Sequence, residues 1–148
     1  MATAQDLMTP APVSIRADDT VFDAAVRMAE QDVGALPILG EGDVVRGMIT
    51  DRDIVVKVLA VGGDPRTIRT GELASGTPIT VQADTDVAYV LRSMVDNQVR
   101  RLPVLEGQRL VGIVAQADVA RVVDDPATGL LLEALSTPSV RKDPAVPA

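Results

Sequence analysis

The chain of 148 residues is 47% hydrophobic and 1% aromatic, contains no Cys and no His, and has a formal net charge of −7. Without Cys or His it cannot form disulfides, thiolate nucleophiles, imidazole acid/base pairs or Cys/His metal sites, and its acidic balance opposes binding to nucleic acid. No apolar run approaches the roughly 18 residues of a membrane span. The N-terminus also lacks the basic and apolar regions of a signal peptide, so we expect a cytoplasmic protein.

The sequence contains one pattern twice. Leu7, Pro12, Asp18, Val21, Met28 and Leu36-Pro37 are matched 66 positions later by Leu73, Pro78, Asp84, Val87, Met94 and Leu102-Pro103. After the loss of one residue in a turn, Gly47 and Asp53 are matched by Gly112 and Asp118. A register held this far with a single gap indicates an internal duplication. The aliphatic composition favours an α/β fold.

Each copy predicts the order strand, helix, strand, strand, helix. The first strand is "PVSI" in one copy and "PITV" in the other. The next helix begins near Thr20, which forms a capping-box pattern with Asp23, and near Asp86, a preferred N-cap residue. Both helices have an apolar face at helical spacing, made by Val21, Ala24, Ala25, Met28 and Ala29 and by Val87, Val90, Leu91, Met94 and Val95.

A hairpin and a second helix complete each copy. The hairpins are predicted from "ALPIL" with "VVRGMIT" and from "RLPVL" with "LVGIVA", joined by the turn sequences "GEGD" and "EGQ". The second helix starts at Thr50 or at Ala115. In the first copy this helix carries one charge, Lys57, between Ile54 and Val61. Since a helix that is apolar nearly all round is buried on more than one side, we expect a homodimer.

The repeats suggest how the chain is divided. We expect a first domain at 7–63, a turn-rich linker at 64–72 and a second domain at 73–124. After the second repeat, "DPATGLLLEAL" predicts an extra helix at 125–136, with a proline near its first turn. The Pro-rich end predicts a mobile tail at 137–148.

The strand-to-helix junction carries the candidate site and has two interpretations. Thr50 is a good N-cap and Asp53 can return the bond, so the pair would simply start a helix. The same hydroxyl and carboxylate at a helix start would also suit a ribose phosphate. Gly47 and Gly112, inside strands, indicate close approach of another backbone or of a ligand. The second junction has Ala115 in place of the threonine.

The doubled unit, the "LP" pairs and the pattern G-x-x-T-x-x-D resemble a tandem pair of CBS domains, from Leu7 to about Val123. The stretches "DVGALPILG", "GMITDRDIVVK" and "QVRRLPV" are especially similar to small stand-alone actinobacterial CBS pairs of the hypoxic-response type. The resemblance implies an α/β fold of two βαββα repeats packed sheet to sheet as a pseudo-twofold pair. It also implies two clefts, each of which holds an adenine nucleotide in many members.

The resemblance further implies which residues line the clefts. In the first, Thr50 and Asp53 would bind phosphate and ribose, and the base would be flanked by Pro12, Val13, Ala35, Leu36 and Pro37. In the second, Asp118 would remain, with the base surrounded by Pro78, Ile79, Arg101, Leu102 and Pro103. Arg100 and Arg101 would either reach phosphates across the cleft or form a solvated turn.

Two functions follow as hypotheses. The first is a regulatory module that binds AMP, ADP or ATP, with the first cleft filling first because Ala115 lacks a hydroxyl. The alternative is a non-enzymatic interaction or scaffold protein with vestigial clefts. No pair of carboxylates, lysines or hydroxyls is placed for acid/base work, so we expect no enzyme activity, no metal site and no covalent cofactor.

Overall fold

The computed structural model describes residues 2–74 and 76–122. Its elements in chain order are α1 (Ala4–Leu7), β1 (Thr9–Pro10), β2 (Ile15–Arg16), α2 (Val21–Gln31), β3 (Ala35–Leu39), β4 (Val45–Thr50), α3 (Asp51–Asp53), β5 (Val81–Gln82), α4 (Val87–Asn97), β6 (Arg101–Glu106), β7 (Arg109–Ala115) and α5 (Gln116–Val122). A π-helical segment, Ile54–Leu59, continues α3, and short 3-10 turns lie at Glu41–Asp43 and Thr70–Glu72. The predicted order of each copy is confirmed. The first strand of each copy begins later than "PVSI" and "PITV" predicted, since it covers only Ile15–Arg16 and Val81–Gln82. The predicted helix at 125–136 and tail at 137–148 lie outside the described residues.

The strands form two sheets, one for each repeat. The first has the order β2-β3-β4, with β2 parallel to β3 and β3 antiparallel to β4. The second has the order β1-β7-β6-β5, with the same parallel and antiparallel pairs and one strand more. The predicted hairpins are therefore β3–β4 and β6–β7. Each hairpin ends at the junction with the following helix.

Each sheet packs on its own helix to form a separate hydrophobic core. In the first core α2 contributes Val21, Ala24 and Met28, which lie with Leu36 and Ile38. In the second core α4 contributes Val90, Leu91 and Met94, of which Val90 and Met94 match Ala24 and Met28, while Val87, the match of Val21, is only partly buried. Burial of a large aliphatic side chain contributes about 1.5–3 kcal/mol, so these two faces dominate the stability of each unit. Both predicted helix faces are confirmed, except that Ala29 is exposed.

The N-terminal arm, residues 2–10, packs on the second repeat rather than on the first. Its Ala4 and Leu7 are buried in the second core, and β1 pairs with β7. The backbone N–H of Ala4 donates to Thr85 O at 2.8 Å, and that of Gln5 donates to Ala83 O at 2.9 Å. The first repeat thus gives its leading segment to the other unit.

The inter-repeat segment, residues 68–74, makes the reciprocal contact with the first repeat. The N–H of Thr70 donates to Asp19 O at 2.8 Å, and that of Gly71 donates to Ala17 O at 2.9 Å. Thr70 is fully buried, and its hydroxyl donates to Arg16 O at 2.7 Å. This segment stands 66 positions after the arm, so the two segments are equivalent in the internal repeat, and each packs on the other repeat.

The exchanged segments explain the glycines inside β4 and β7. A Cβ on Gly112 would lie 2.9 Å from the carbonyl oxygen of Thr9 and would also collide with Met8. A Cβ on Gly47 would lie 3.3 Å from the Cβ of Ala74. Of the two explanations that the sequence left open, approach of another backbone is therefore the one found.

Candidate functional site

The first junction is a complete capping box. Thr50 has extended backbone angles, and its Oγ1 accepts from the N–H of Asp53 at 3.0 Å. In return, the N–H of Thr50 donates to Oδ2 of Asp53 at 3.0 Å. The predicted helix start is confirmed, and both candidate side chains are held in a fixed position on the protein.

Capping leaves these two side chains with unused hydrogen-bonding capacity. A threonine hydroxyl that accepts one bond keeps its own hydrogen for donation, and a carboxylate has about four lone-pair positions. Asp53 uses Oδ2 for the cap, while its Oδ1 lies 3.3 Å from Nζ of Lys57. Thr50 and Asp53 are both half-buried, so they remain accessible from solvent.

The strand register decides which predicted residues lie beside Thr50. Ala35 is its partner across the β3–β4 hairpin, and Pro37 stands two positions further on the same face. Leu36 points to the opposite face, where it is fully buried in the first core. Its side chain is thus committed to the core, whereas Ala35 and Pro37 lie on the face with Thr50, where both are buried as well.

Pro12 and Val13 lie in the segment between β1 and β2. Both are half-buried, and Val13 packs against the edge of the first core. In the second repeat the corresponding Pro78 is half-buried and Ile79 is 37% exposed. These four residues occupy equivalent positions before the first strand of each repeat.

The second junction keeps half of the box. The N–H of Ala115 donates to Oδ2 of Asp118 at 2.8 Å, and the hydroxyl that would complete the pair is absent from the sequence. Oδ1 of Asp118 lies 3.8 Å from a guanidinium nitrogen of Arg121. Asp118 therefore keeps the orientation of Asp53 without the threonine.

The residues around Asp118 follow the same register. Arg101 is the cross-strand partner of Ala115, and Pro103 is on the same face two positions further. Leu102 is fully buried in the second core, as Leu36 is in the first. Arg100 is exposed, and its carbonyl accepts from the N–H of Gln116 at 2.8 Å. The register thus brings Arg101 and Pro103 together with the second junction.

A shallow depression of about 490 Å³ lies on the outer side of α2, away from both junctions. Sequence reasoning missed it. Its lining includes Phe22 and Val26, each more than a third exposed, and acidic side chains such as Asp23. The guanidinium of Arg66 lies 4.4 Å from the centroid of the Phe22 ring. Phe22 is the one Phe of the chain and stands outside the predicted apolar face of α2, which was the signal that could have indicated this surface.

Among residues 2–74 and 76–122, no group of three or more acidic side chains is placed to hold a metal ion. In the same part of the chain no helix is long and apolar enough to cross a membrane.

Comparisons with known proteins agree with the paired repeats. The sequence model of the CBS domain matches residues 4–60 and 71–125. Hypoxic response protein 1 of Mycobacterium tuberculosis is 44% identical over 138 residues, which are 93% of this chain and 96% of that relative.

Solved structures share the fold, so the predicted α/β pair of repeats is confirmed. The crystal structure of Hypoxic Response Protein I with two coordinated zinc ions is 46% identical, with a TM-score of 0.76 over 82% of this chain and 99% of that one. The structure of CBSX2 in complex with AMP is 24% identical, with a TM-score of 0.68 over 82% and 95%. At that identity the likeness concerns the fold alone. With two matched copies that cover most of its length, the chain belongs to the CBS domain family.

Proposed function

We propose that this CBS pair of the regulatory type senses an adenine nucleotide, AMP, ADP or ATP, in the cleft between its repeats. The observation that carries the proposal is the Thr50–Asp53 box, which holds a half-buried hydroxyl and carboxylate in place on the same sheet face as Ala35 and Pro37. The AMP complex of CBSX2 supports it in one respect, since a protein of this fold accommodates that ligand. Location in the cytoplasm stays a prediction.

The proposed contacts follow from the hydrogen-bonding capacity left at the junction. The hydroxyl of Thr50 would donate to a phosphate oxygen, and the carboxylate of Asp53 would accept from the ribose hydroxyls. The small faces of Ala35 and Pro37 would leave room for the base. Because the capping bonds already orient both side chains, binding would cost little further ordering.

We propose that the protein acts by binding and not by catalysis. The sequence has no imidazole and no thiol, so general acid/base work would fall to carboxylates, lysines and hydroxyls alone. It also has no Walker-type phosphate loop. We therefore expect no hydrolysis of ATP or AMP, measured as phosphate release.

The zinc ions of Hypoxic Response Protein I are not part of the proposal. Zinc in proteins is held mainly by Cys, His and carboxylates, and this chain offers only carboxylates. No group of them within residues 2–74 and 76–122 is placed as a metal site. Carboxylate-only sites suit Mg²⁺, Ca²⁺ or Mn²⁺ better than zinc.

A homodimer is the second part of the proposal. The π-helical segment and the turn after it expose Val55, Val56, Leu59 and Val61 by 46–73%. Exposed aliphatic side chains grouped on one short segment mark a surface for protein contact. The same surface favours the alternative function, in which the protein is a scaffold and the clefts are empty of ligand.

The test is a pair of matched variants. Thr20 caps α2 with Asp23 through the same two bonds, at 3.1 and 3.0 Å, so Thr20→Ala removes an equivalent cap away from the junction. Both Thr20→Ala and Thr50→Ala should lower the free energy of unfolding by about 1 kcal/mol. Only Thr50→Ala should weaken the binding of AMP, by about ten- to a hundredfold, as measured by calorimetry.

The outcomes separate the two functions. Calorimetry of the wild-type chain with AMP, ADP and ATP, with NAD and S-adenosylmethionine for comparison, should detect at least one adenine nucleotide. Equal nucleotide affinity in Thr20→Ala and Thr50→Ala would show that Thr50 only caps the helix and does not contact the nucleotide. Absence of binding by any nucleotide would leave the scaffold function.

A further inference from the structure

The polar side chain of the cross-strand pair at the junction stands on the second hairpin strand in the first repeat and on the first hairpin strand in the second repeat. In the first hairpin Thr50 on β4 faces Ala35 on β3, whereas in the second Ala115 on β7 faces Arg101 on β6. Direct cross-strand partners have Cβ atoms about 4.5–5.5 Å apart on the same face of the sheet. Arg101 thus stands where it can reach the space beside Ala115. The loss of the hydroxyl is accompanied by the gain of a guanidinium.

The second junction is more positively charged than the first. The first junction places Gly34 and Ala35 beside Asp51, Arg52 and Asp53, which gives a formal charge of −1. The matched positions 100, 101 and 116–118 of the second junction carry two arginines and one aspartate, which gives +1. The ion-pair partners Lys57 and Arg121 add one positive charge to each junction, so the second junction is two charges more positive than the first.

We propose that the second junction selects a nucleotide with two or three phosphates, and that Arg101 determines this specificity. The inference rests on the proposed nucleotide binding and names the ligand class of each copy. A threonine hydroxyl offers one neutral donor, which suffices for a monophosphate. A guanidinium offers a permanent charge and a planar fork of donors, whose attraction grows with each added phosphate.

The remaining groups of the second junction agree with this assignment. Asp118 keeps the orientation of Asp53 through its bond from the N–H of Ala115, so a ribose acceptor is retained. Arg101 itself is exposed at the start of β6. AMP should therefore fill the first cleft, as the hydroxyl alone predicts, while ATP should bind at the second.

The experiment compares Arg101→Ala with Arg109→Ala. Arg109 is an exposed arginine at the far end of the same hairpin, so its loss changes the net charge equally without touching the junction. Calorimetry should give an ATP affinity lower by about ten- to a hundredfold for Arg101→Ala, within about threefold of wild type for Arg109→Ala, and an AMP affinity little changed for both. Arg101→Lys, which keeps the charge without the fork, should lie between.

Thr50→Ala provides the reciprocal test, in which AMP affinity should fall by about ten- to a hundredfold and ATP affinity should change little. A loss of AMP and ATP affinity by the same factor in Arg101→Ala would overturn the selectivity while leaving nucleotide binding intact. No change for either ligand would overturn it as well. If the wild-type chain bound neither AMP nor ATP, the proposed function and this inference would fall together.

Discussion

Ala11 has a φ of 49°, in the left-handed region that residues with a Cβ rarely adopt. It lies between Pro10 and Pro12, where the N-terminal arm leaves the second sheet and the chain enters the first repeat. Its N–H donates to Val111 O at 3.2 Å, which fixes this crossing on the second sheet. The strain is thus stored at the one residue that joins the arm to the body of its own repeat.

Replacing Ala11 with Gly should stabilise the protein. The left-handed conformation costs a residue with a Cβ about 1–2 kcal/mol, which glycine avoids. Glycine also stabilises the unfolded chain through its greater conformational freedom, and this effect cancels about half of the gain. A net gain of about 0.5–1 kcal/mol should appear in chemical denaturation. Ala29→Gly, at an exposed position inside α2, is the control and should lose about 1 kcal/mol. Destabilisation by Ala11→Gly would contradict the strain.

The carboxylate of Asp23 should make the free energy of unfolding fall at acidic pH. Its carboxylate accepts from the backbone N–H of Thr20, which lowers the pKa of Asp23 below its ordinary value, and the Thr20 side chain acts in the same direction. A lowered pKa adds stability above the unfolded pKa of about 3.9, and this stability is lost as pH falls through the folded pKa. Asp23→Asn should reduce the dependence of the unfolding midpoint on pH between about pH 5 and about pH 2. An unchanged slope would argue against the cap.

The second helices of the two repeats differ in their backbone hydrogen bonding. After α3 the first repeat continues as a π-helix, in which the N–H of Ala60 donates to Val55 O at 2.8 Å, five residues back. The wider turn buries Ile54 and Val58 and leaves Val55, Val56 and Leu59 exposed. One side of this segment therefore seals the first core, and the other presents an aliphatic surface.

Leu59→Glu should convert the protein to a monomer without unfolding it. Leu59 is 53% exposed, so a carboxylate there is solvated in the monomer but would be desolvated in an interface. Light scattering at micromolar concentration should detect a dimer for the wild type and a monomer for the variant. Val26→Glu, at a 39% exposed position on α2, should remain dimeric. If the wild type were a monomer, or if Leu59→Glu remained a dimer, this surface would not be a dimer interface.

Neither repeat is complete without a segment from the other. The second core includes Leu7 of the N-terminal arm, and Leu73 of the inter-repeat segment packs against the first core. The bridges Thr3–Asp86 and Thr20–Arg69 are related by the same 66-residue shift. The domain limits at 63 and 73 stay predictions, and the packing couples the two units across them.

Leu7→Ala should weaken the second unit although Leu7 belongs to the first repeat in sequence. Leu7 is 7% exposed, and loss of a buried leucine costs about 2–5 kcal/mol. Hydrogen exchange should accelerate in α4 and β6 more than in α2. Leu73→Ala, the matched position, should accelerate exchange in α2 and β3. Faster exchange confined to α2 in Leu7→Ala would contradict the exchange of segments.

Local patterns predicted much of this structure from sequence. Thr20 with Asp23 and Thr50 with Asp53 are capping boxes because the pattern acts over three residues of one segment. The pairing of β1 with β7 joins residues about a hundred positions apart, and no local pattern encodes that pairing. The partnership of Arg101 with Ala115 likewise depends on hairpin register, so the sequence could name both residues without relating them.

The exchange of segments has a consequence for how such a chain can be cut. The turn around Gly62, where φ is 77°, precedes the inter-repeat segment, so a break there leaves each fragment with one repeat and the leading segment that the other requires. Neither half would then have a complete core of its own, and the two would have to assemble to fold. By the same reciprocal exchange of leading segments, two separate one-repeat chains could assemble into this structure. The covalent link between repeats serves as a tether that raises the local concentration of each half for the other.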